Sequence, residues 1–414
     1  MNLRTMGENI VAEIPVYVKR YRFILIAFLV VTFFLPLLAT AQQSRAEEIA
    51  RKKAEKAKQL RSYAPSKAET VIERLTAPRR GFYPHFGSVF SGGGIAAGPG
   101  YWKPYGDNAI LDIHSEWSVE NYRSAELYTK FPDLIAGSFR SELKAKYIDA
   151  GHVSFYGLGN ETQKEDETNF GYRPTTITLT EIYKTGKWLS VGGGIEYMLN
   201  DTAPGDSGSL PSTEEVFTPA TAPGLGTDPE YFNTSLFATF DWRQSPGYTT
   251  SGGYYRFDFK NYDHTNGNDD FNFRRYDIEL DQYLPLFRAN QILAFRTLLS
   301  FTEVNSGNVV PFFLTPRLGG SRDLRGFRSF RFRDRHRLLL TAEYRWTPSK
   351  FMDLLLFYEV GKVASETGDL DFDNLQDCYG FGARFHAPYA TILRFELAHS
   401  SETTRLIVDT GIVF

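Results

Sequence analysis

His336-Arg-Leu-Leu-Leu-Thr-Ala-Glu-Tyr-Arg-Trp346 is the stretch on which the fold turns. Leu338, Leu340, Ala342, Tyr344 and Trp346 share one parity, and Arg337, Leu339, Thr341, Glu343 and Arg345 share the other. A period of two places the sets on opposite faces of a β-strand. Phe139–Tyr147 repeats the pattern, with Phe139, Ser141, Leu143, Ala145 and Tyr147 against Arg140, Glu142, Lys144 and Lys146. Tyr255, Phe257 and Phe259 alternate with Arg256, Asp258 and Lys260, and Ile278 and Leu280 alternate with Asp277, Glu279 and Asp281. Alternation alone suits either a sandwich with its charged rows in solvent or a barrel with those rows around a wet lumen.

Connection lengths separate the two. Tight links at Thr185-Gly186-Lys187, Thr347–Lys350 and Pro388-Tyr389-Ala390 alternate with long ones near 150–169, 200–230, 304–335 and 364–376. Outer-membrane barrels have this asymmetry, short turns in the periplasm and long loops outside, and a sandwich has no cause for it. Counting strands back from the C-terminus gives about sixteen, with Phe86–Gly94 and Ile95–Lys103 as the first two, joined by a glycine turn. Both chain ends must face the periplasm, so the number is even; twelve and fourteen remain open. The expected fold class is therefore all-β, a transmembrane antiparallel β-barrel over residues 86–414.

Composition agrees. Aromatic residues make up 15% of the 414, with 34 Phe and 24 Tyr, while hydrophobic content is 42%. A mean hydropathy of −0.32 excludes a helical membrane bundle, and a strand wall with one apolar and one polar face yields such an average. The net charge of −3 points away from nucleic acid or another polyanion as partner of the whole molecule. Cys378 is the sole cysteine, which excludes an internal disulfide, and no cysteine follows the leader to carry a lipid.

That leader is Lys19, Arg20 and Arg22 ahead of the apolar run Phe23 to Leu38, ending in Ala39-Thr40-Ala41. It reads as a signal peptide over 1–41, cleaved after Ala41, with Met6 as an alternative start. A membrane anchor is the rival reading, against which stand Pro36 and the Ala-x-Ala ending. Ser44–Leu60 is rich in helix formers but lacks an apolar face. Residues 42–85 are expected to form a short helical or disordered periplasmic tether, too short for a periplasmic domain. At the other end Leu406, Val408, Thr410, Ile412 and Phe414 fall on one face, and the aromatic Phe414 is expected to act as an insertion signal captured by edge pairing.

The most distinctive segment is Pro316-Arg-Leu-Gly-Gly-Ser-Arg-Asp-Leu-Arg-Gly-Phe-Arg-Ser-Phe-Arg-Phe-Arg333. Its core, Gly319-Gly320-Ser321 followed by Leu324-Arg325-Gly326-Phe327, resembles the Arg-Gly-Phe/Tyr loop motif of the BamA/TamA (bacterial surface antigen) superfamily, and about five strands separate it from the terminus, as in that family's sixth loop. Phe357-Tyr-Glu-Val-Gly361 is similar to the family's Phe-x-Asp-x-Gly pattern, with Glu359 in place of Asp. The resemblance implies that the loop folds back into the lumen and that Arg325 meets Glu343 and Glu359 on the next two strands, beside Gly361. A guanidinium suits this role because it binds carboxylates with two prongs and stays charged. Gly326 is expected to permit a tight bend ahead of Phe327.

On this resemblance the chain is a short member of the superfamily lacking POTRA domains. That implies a nonenzymatic insertase or translocase of the Gram-negative outer membrane, acting on a client polypeptide or lipid, with outer-membrane lipid, lipopolysaccharide and the barrel assembly machinery as partners. The first strand, glycine-rich, would close the barrel against Arg405–Phe414 across a weak seam. Two further readings stay open: a passive or loop-plugged pore, and a lipopolysaccharide-binding structural barrel. In the latter the eight arginines from Arg317 to Arg337 form a basic external loop, with Arg328, Arg331 and Arg333 as phosphate contacts. Catalytic, cofactor and metal sites are not expected. The seven histidines form no motif, His114-Ser115 is no dyad, and Gly92–Gly94 and Gly192–Gly194 read as strand kinks or thin wall rather than phosphate loops.

Overall fold

The computed structural model describes residues 80–414 apart from Asp107, 133–137, 268–269, 287–289, Lys350, 388–389 and 410–412. The leader and most of the tether therefore lie outside the described residues.

The wall is an antiparallel meander. Its first eight strands are β1 (Gly81–Gly87), β2 (Ala96–Tyr105), β3 (Ala109–Ser118), β4 (Arg123–Lys130), β5 (Phe139–Phe155), β6 (Thr175–Lys184), β7 (Leu189–Leu199) and β8 (Tyr231–Asp241). The second eight are β9 (Gly252–His264), β10 (Phe273–Pro285), β11 (Gln291–Val304), β12 (His336–Ser349), β13 (Met352–Ala364), β14 (Gln376–Ala387), β15 (Ala390–Ser400) and β16 (Thr404–Asp409). Each pairs with its successor in the chain. Thr168–Tyr172 and Thr202–Pro204 extend the sheet from the overhanging end of β5, bringing it to 18 strands. The expected sixteen-strand wall is thus present. Among the described residues no pairing joins β1 to β16.

Side-chain alternation explains why these segments are strands. Phe82, Trp117, Ile177, Leu236, Leu356, Tyr358, Phe381 and Leu406 all point outward and are exposed. Soluble proteins rarely show so continuous an apolar surface; hydrocarbon is the solvent that suits it. The partners on the opposite parity, such as Thr341, Glu343 and Arg345 on β12, are buried on the inner side.

Three expectations need correction. The wall begins at Gly81 rather than Phe86, five residues into the segment assigned to the tether. Consequently 88–95 is the first turn, and Gly92 and Gly94 occupy it at φ of 86° and 69° instead of kinking a strand. Phe414 leaves the row of Leu406 and Val408: it is buried against Tyr283, Ile292 and Ala294, with the guanidiniums of Arg296 and Arg345 over its ring. Arg296 Nη1 also donates to the Val413 carbonyl at 3.2 Å. Placed inside, the terminal ring gains stacked cations that lipid could not supply.

The short-turn end holds one longer link. Residues 242–251, between β8 and β9, cross to the opposite wall, where Tyr248 stacks on His386 at 3.9 Å and donates to Asp353 at 3.0 Å. The backbone N–H of Thr391 donates to the Gly247 carbonyl at 3.2 Å. Arg345 joins this link to Phe414, with Nη1 3.5 Å from the Thr249 carbonyl and the guanidinium over the Phe414 ring.

The outward row carries a prediction. Leu236 lies in mid-strand on the outer face and is 64% exposed. Leu236→Arg should cost roughly 2–4 kcal/mol in reversible denaturant unfolding from lipid bilayers, whereas Leu236→Phe should stay within about 0.5 kcal/mol. Equal effects of the two substitutions would show that this face does not meet hydrocarbon.

Candidate functional site: a loop pinned to the wall

Residues 305–335 leave the long-loop end and turn inward, where Arg317–Leu318 pairs with Phe332–Arg333 in a short hairpin. Leu318, Leu324, Phe327 and Phe332 pack on Leu298, Leu339, Val363 and Cys378 of the wall. Gly361 leaves the space for this: a Cβ there would come within 3.0 Å of Leu318 Cδ1 and 2.7 Å of the Leu338 carbonyl. Gly326 is needed for close approach rather than for a bend. Its φ is not positive, and an added Cβ would meet Cys378 Cβ at 2.6 Å and Ser400 Cβ at 2.9 Å. The non-glycine residues of the loop at positive φ are Leu324, at 40°, and Phe330, at 63°.

Packing delivers Arg325 to the wall carboxylates, and Arg325, Glu343 and Glu359 are all wholly buried. Glu359 holds both the backbone and the side chain of Arg325, accepting from its N–H at 2.7 Å and its Nε at 3.0 Å. Arg325 Nη1 lies 3.5 Å from Glu343 and 2.9 Å from Glu396, and the guanidinium covers the Phe357 ring. Burial works against the charge on Arg325, but the carboxylates of Glu359, Glu396 and Glu343 outweigh it and raise the pKa.

Sequence reasoning missed the rest of this network. Arg384 bridges Glu343 and Glu396, with contacts of 2.7 and 2.9 Å from Nη2. Arg345 donates to Glu343, and Arg394 ties Glu396 at 3.0 Å to Asp409 of β16 at 2.6 Å. The last strand also grips the loop directly. Arg405 donates to the carbonyls of Gly320, Arg325 and Phe327, and Asp409 accepts from Ser321 Oγ at 2.9 Å. Ser400 Oγ donates to the Gly326 carbonyl at 2.8 Å. The available signal was Arg384, Arg394 and Glu396 alternating with Phe381, Phe385, Phe395 and Leu397, charges on the inward parity of aromatic strands.

The surplus arginines do not form an external phosphate surface. Arg331 is buried on Glu402 and Thr162. Arg333 is buried under the Phe330 ring and donates to the Phe312 carbonyl at 3.3 Å. Burial first, and Arg317 beside it second, push Arg333 down to about 9. Arg328 is half-exposed, yet its guanidinium lies 2.5 Å from Glu167. Folding the loop inward has placed these charges on protein acceptors.

Among the described residues, Arg325→Ala leaves Glu359 with Thr341 Oγ1 at 3.4 Å and Cys378 Sγ at 3.3 Å as its side-chain hydrogen-bond partners, while Glu343 and Glu396 keep Arg384. An uncompensated buried charge costs about 3–5 kcal/mol. Hydrogen exchange over 316–333 should therefore accelerate in Arg325→Ala far more than over β12 and β13, and adding Glu359→Gln should restore part of the protection. Unchanged loop protection, or no gain in the double variant, would refute the pinning.

Residues 221–405 match the family model described as the Omp85 superfamily domain, a span holding the whole loop and every acceptor named above except Asp409, Glu167 and Thr162. A comparison with curated protein sequences finds no match. Among solved structures, the fold is similar to that of BamA from Haemophilus ducreyi lacking POTRA domains 1–3, at 14% identity and a TM-score of 0.59, over 80% of this chain and 69% of that one. It is also similar to CdiB from Escherichia coli, at 12% identity and a TM-score of 0.53, over 81% of this chain and 62% of that one.

Proposed function

We propose, from the match of residues 221–405 to the model of the Omp85 superfamily domain, that the protein acts in the Gram-negative outer membrane, after export by its leader, as a nonenzymatic barrel assisting insertion or translocation of protein or lipid. The observation that carries this reading is the state of the terminal strands. β16 has a six-residue ladder to β15 and is held from inside by the pinned loop through Arg405 and Asp409, and no ladder among the described residues joins it to β1. β1 is short, and Pro84 faces Pro99 in register, so two ladder donors are missing there. In lipid an unpaired strand edge is costly, and an incoming strand can relieve that cost by edge addition. The loop then serves as an internal splint that keeps β16 in place while its outer edge is exchanged.

The test is a lock across the seam. In a Cys378→Ala background, one cysteine within 81–87 and one within 404–409 should be scanned for pairs that crosslink. A crosslinked barrel should lose its capacity to support outer-membrane protein assembly in cells that depend on it and regain it on reduction. Full activity in the locked state rejects lateral exchange.

One observation favours the loop-plugged pore as a second reading. A cavity of about 450 Å³ remains between loop and wall, lined by Lys146, Arg275, Arg317 and Arg337 among others. In planar bilayers a splint gives small, erratic openings that grow in Arg325→Ala, and a pore gives large, steady ones.

A further inference from the structure

We propose that His85, His114 and Glu116 bind a divalent transition-metal ion, with zinc as the best fit, and that this ion clips β1 to β3 over the top of β2. The three residues share the inner face near the seam, with their ligand atoms within 4.8 Å of one another. His85 Nε2 lies 3.4 Å and His114 Nε2 3.7 Å from Glu116 Oε1. Tetrahedral zinc, at about 2.0–2.2 Å from nitrogen and oxygen ligands, sets its ligand atoms about 3.3 Å apart. The cluster thus already stands at nearly the spacing of a coordination shell.

The outer atoms are arranged to match. His114 Nδ1 faces Asp112 Oδ1 at 3.5 Å and His85 Nδ1 faces the Tyr83 hydroxyl at 3.4 Å, while that hydroxyl donates to Asp112 at 2.6 Å. Both rings are thereby turned with Nε2 toward Glu116, the carboxylate–histidine–metal arrangement that fixes ring orientation in metal sites. The imidazoles stack at 3.9 Å and 13° from parallel, so one ring must turn about its Cβ–Cγ bond for both Nε2 lone pairs to reach a single ion. Glu116 is 7% exposed, and its Oε2 has no hydrogen-bond partner among the described residues. A buried carboxylate oxygen left unbonded is expensive, and a cation would satisfy it.

β2 makes the meeting possible by placing glycines between the two strands. Gly98 stands opposite His85, and Gly100 lies between Tyr83 and His114. A Cβ at Gly100 would strike the Tyr83 ring at 2.4 Å. Residues of two non-adjacent strands therefore lean together above bare backbone. Three protein ligands leave a fourth position, open on the side of His85, whose side chain is 24% exposed.

The test uses the full chain folded in detergent micelles and stripped with a chelator. Calorimetric titration with Zn²⁺ should give one ion per chain, Co²⁺ should give a visible tetrahedral absorption band, and neither Mg²⁺ nor Ca²⁺ should compete. His85→Ala and Glu116→Gln should abolish both signals, and Asp112→Asn should weaken affinity about 10- to 100-fold, as for other lost outer-shell partners. Zn²⁺ should also slow amide exchange in β1, which incidental surface binding would not do. Heat-modifiable gel mobility reports whether each variant is folded, and His85→Ala, at the exposed side of the cluster, decides if His114→Ala fails to fold. No binding at millimolar Zn²⁺, or unchanged stoichiometry in folded His85→Ala, overturns the site.

Discussion

Glu343, Glu359 and Glu396 are wholly buried, and their need for positive charge organises the inner half of this molecule. A carboxylate removed from solvent is tolerated only when cations and hydrogen bonds replace its hydration. Arg345, Arg384 and Arg394 come from the wall and give much of that compensation, but Glu359 depends on a guanidinium that arrives with the loop. The wall is therefore incomplete without the loop, and the loop has no reason to turn inward without the wall. Glycine at 326 and 361 converts this mutual need into a fixed geometry by letting backbones approach to contact.

The same network reaches β16. Arg394 spans from Glu396 to Asp409, and Arg405 holds three loop carbonyls, so the last described strand is tied inward by charge. Hydrogen bonds to charged groups are stronger than the amide pairs of a ladder. The first three strands carry the stacked histidines and Glu116 as a second inward-facing polar cluster.

Much of the wall was legible in the sequence because alternation is local. Tyr344 and Glu343 must point to opposite faces of any strand, and no tertiary information is needed to say so. An approximate number of strands was legible too, since connection lengths gave about sixteen with twelve and fourteen left open. Limits appeared wherever a residue's partner lies several strands away. Glu396 joins Arg325 although 71 residues separate them, and nothing in the pattern of β15 distinguishes that carboxylate from one facing open water. Phe414 keeps the parity of a lipid-facing residue and is nevertheless drawn inside by Arg296 and Arg345.

By itself the sequence determined which segments are strands, which face of each is apolar, and which loop carries the guanidinium, since backbone geometry imposes the period of two wherever a strand forms. Only the tertiary structure decided which carboxylates share Arg325, where the surplus arginines are buried, and that His85 and His114 meet over the glycines of β2. Those outcomes depend on register and on the curl of the whole sheet, which bring together side chains that no local periodicity relates.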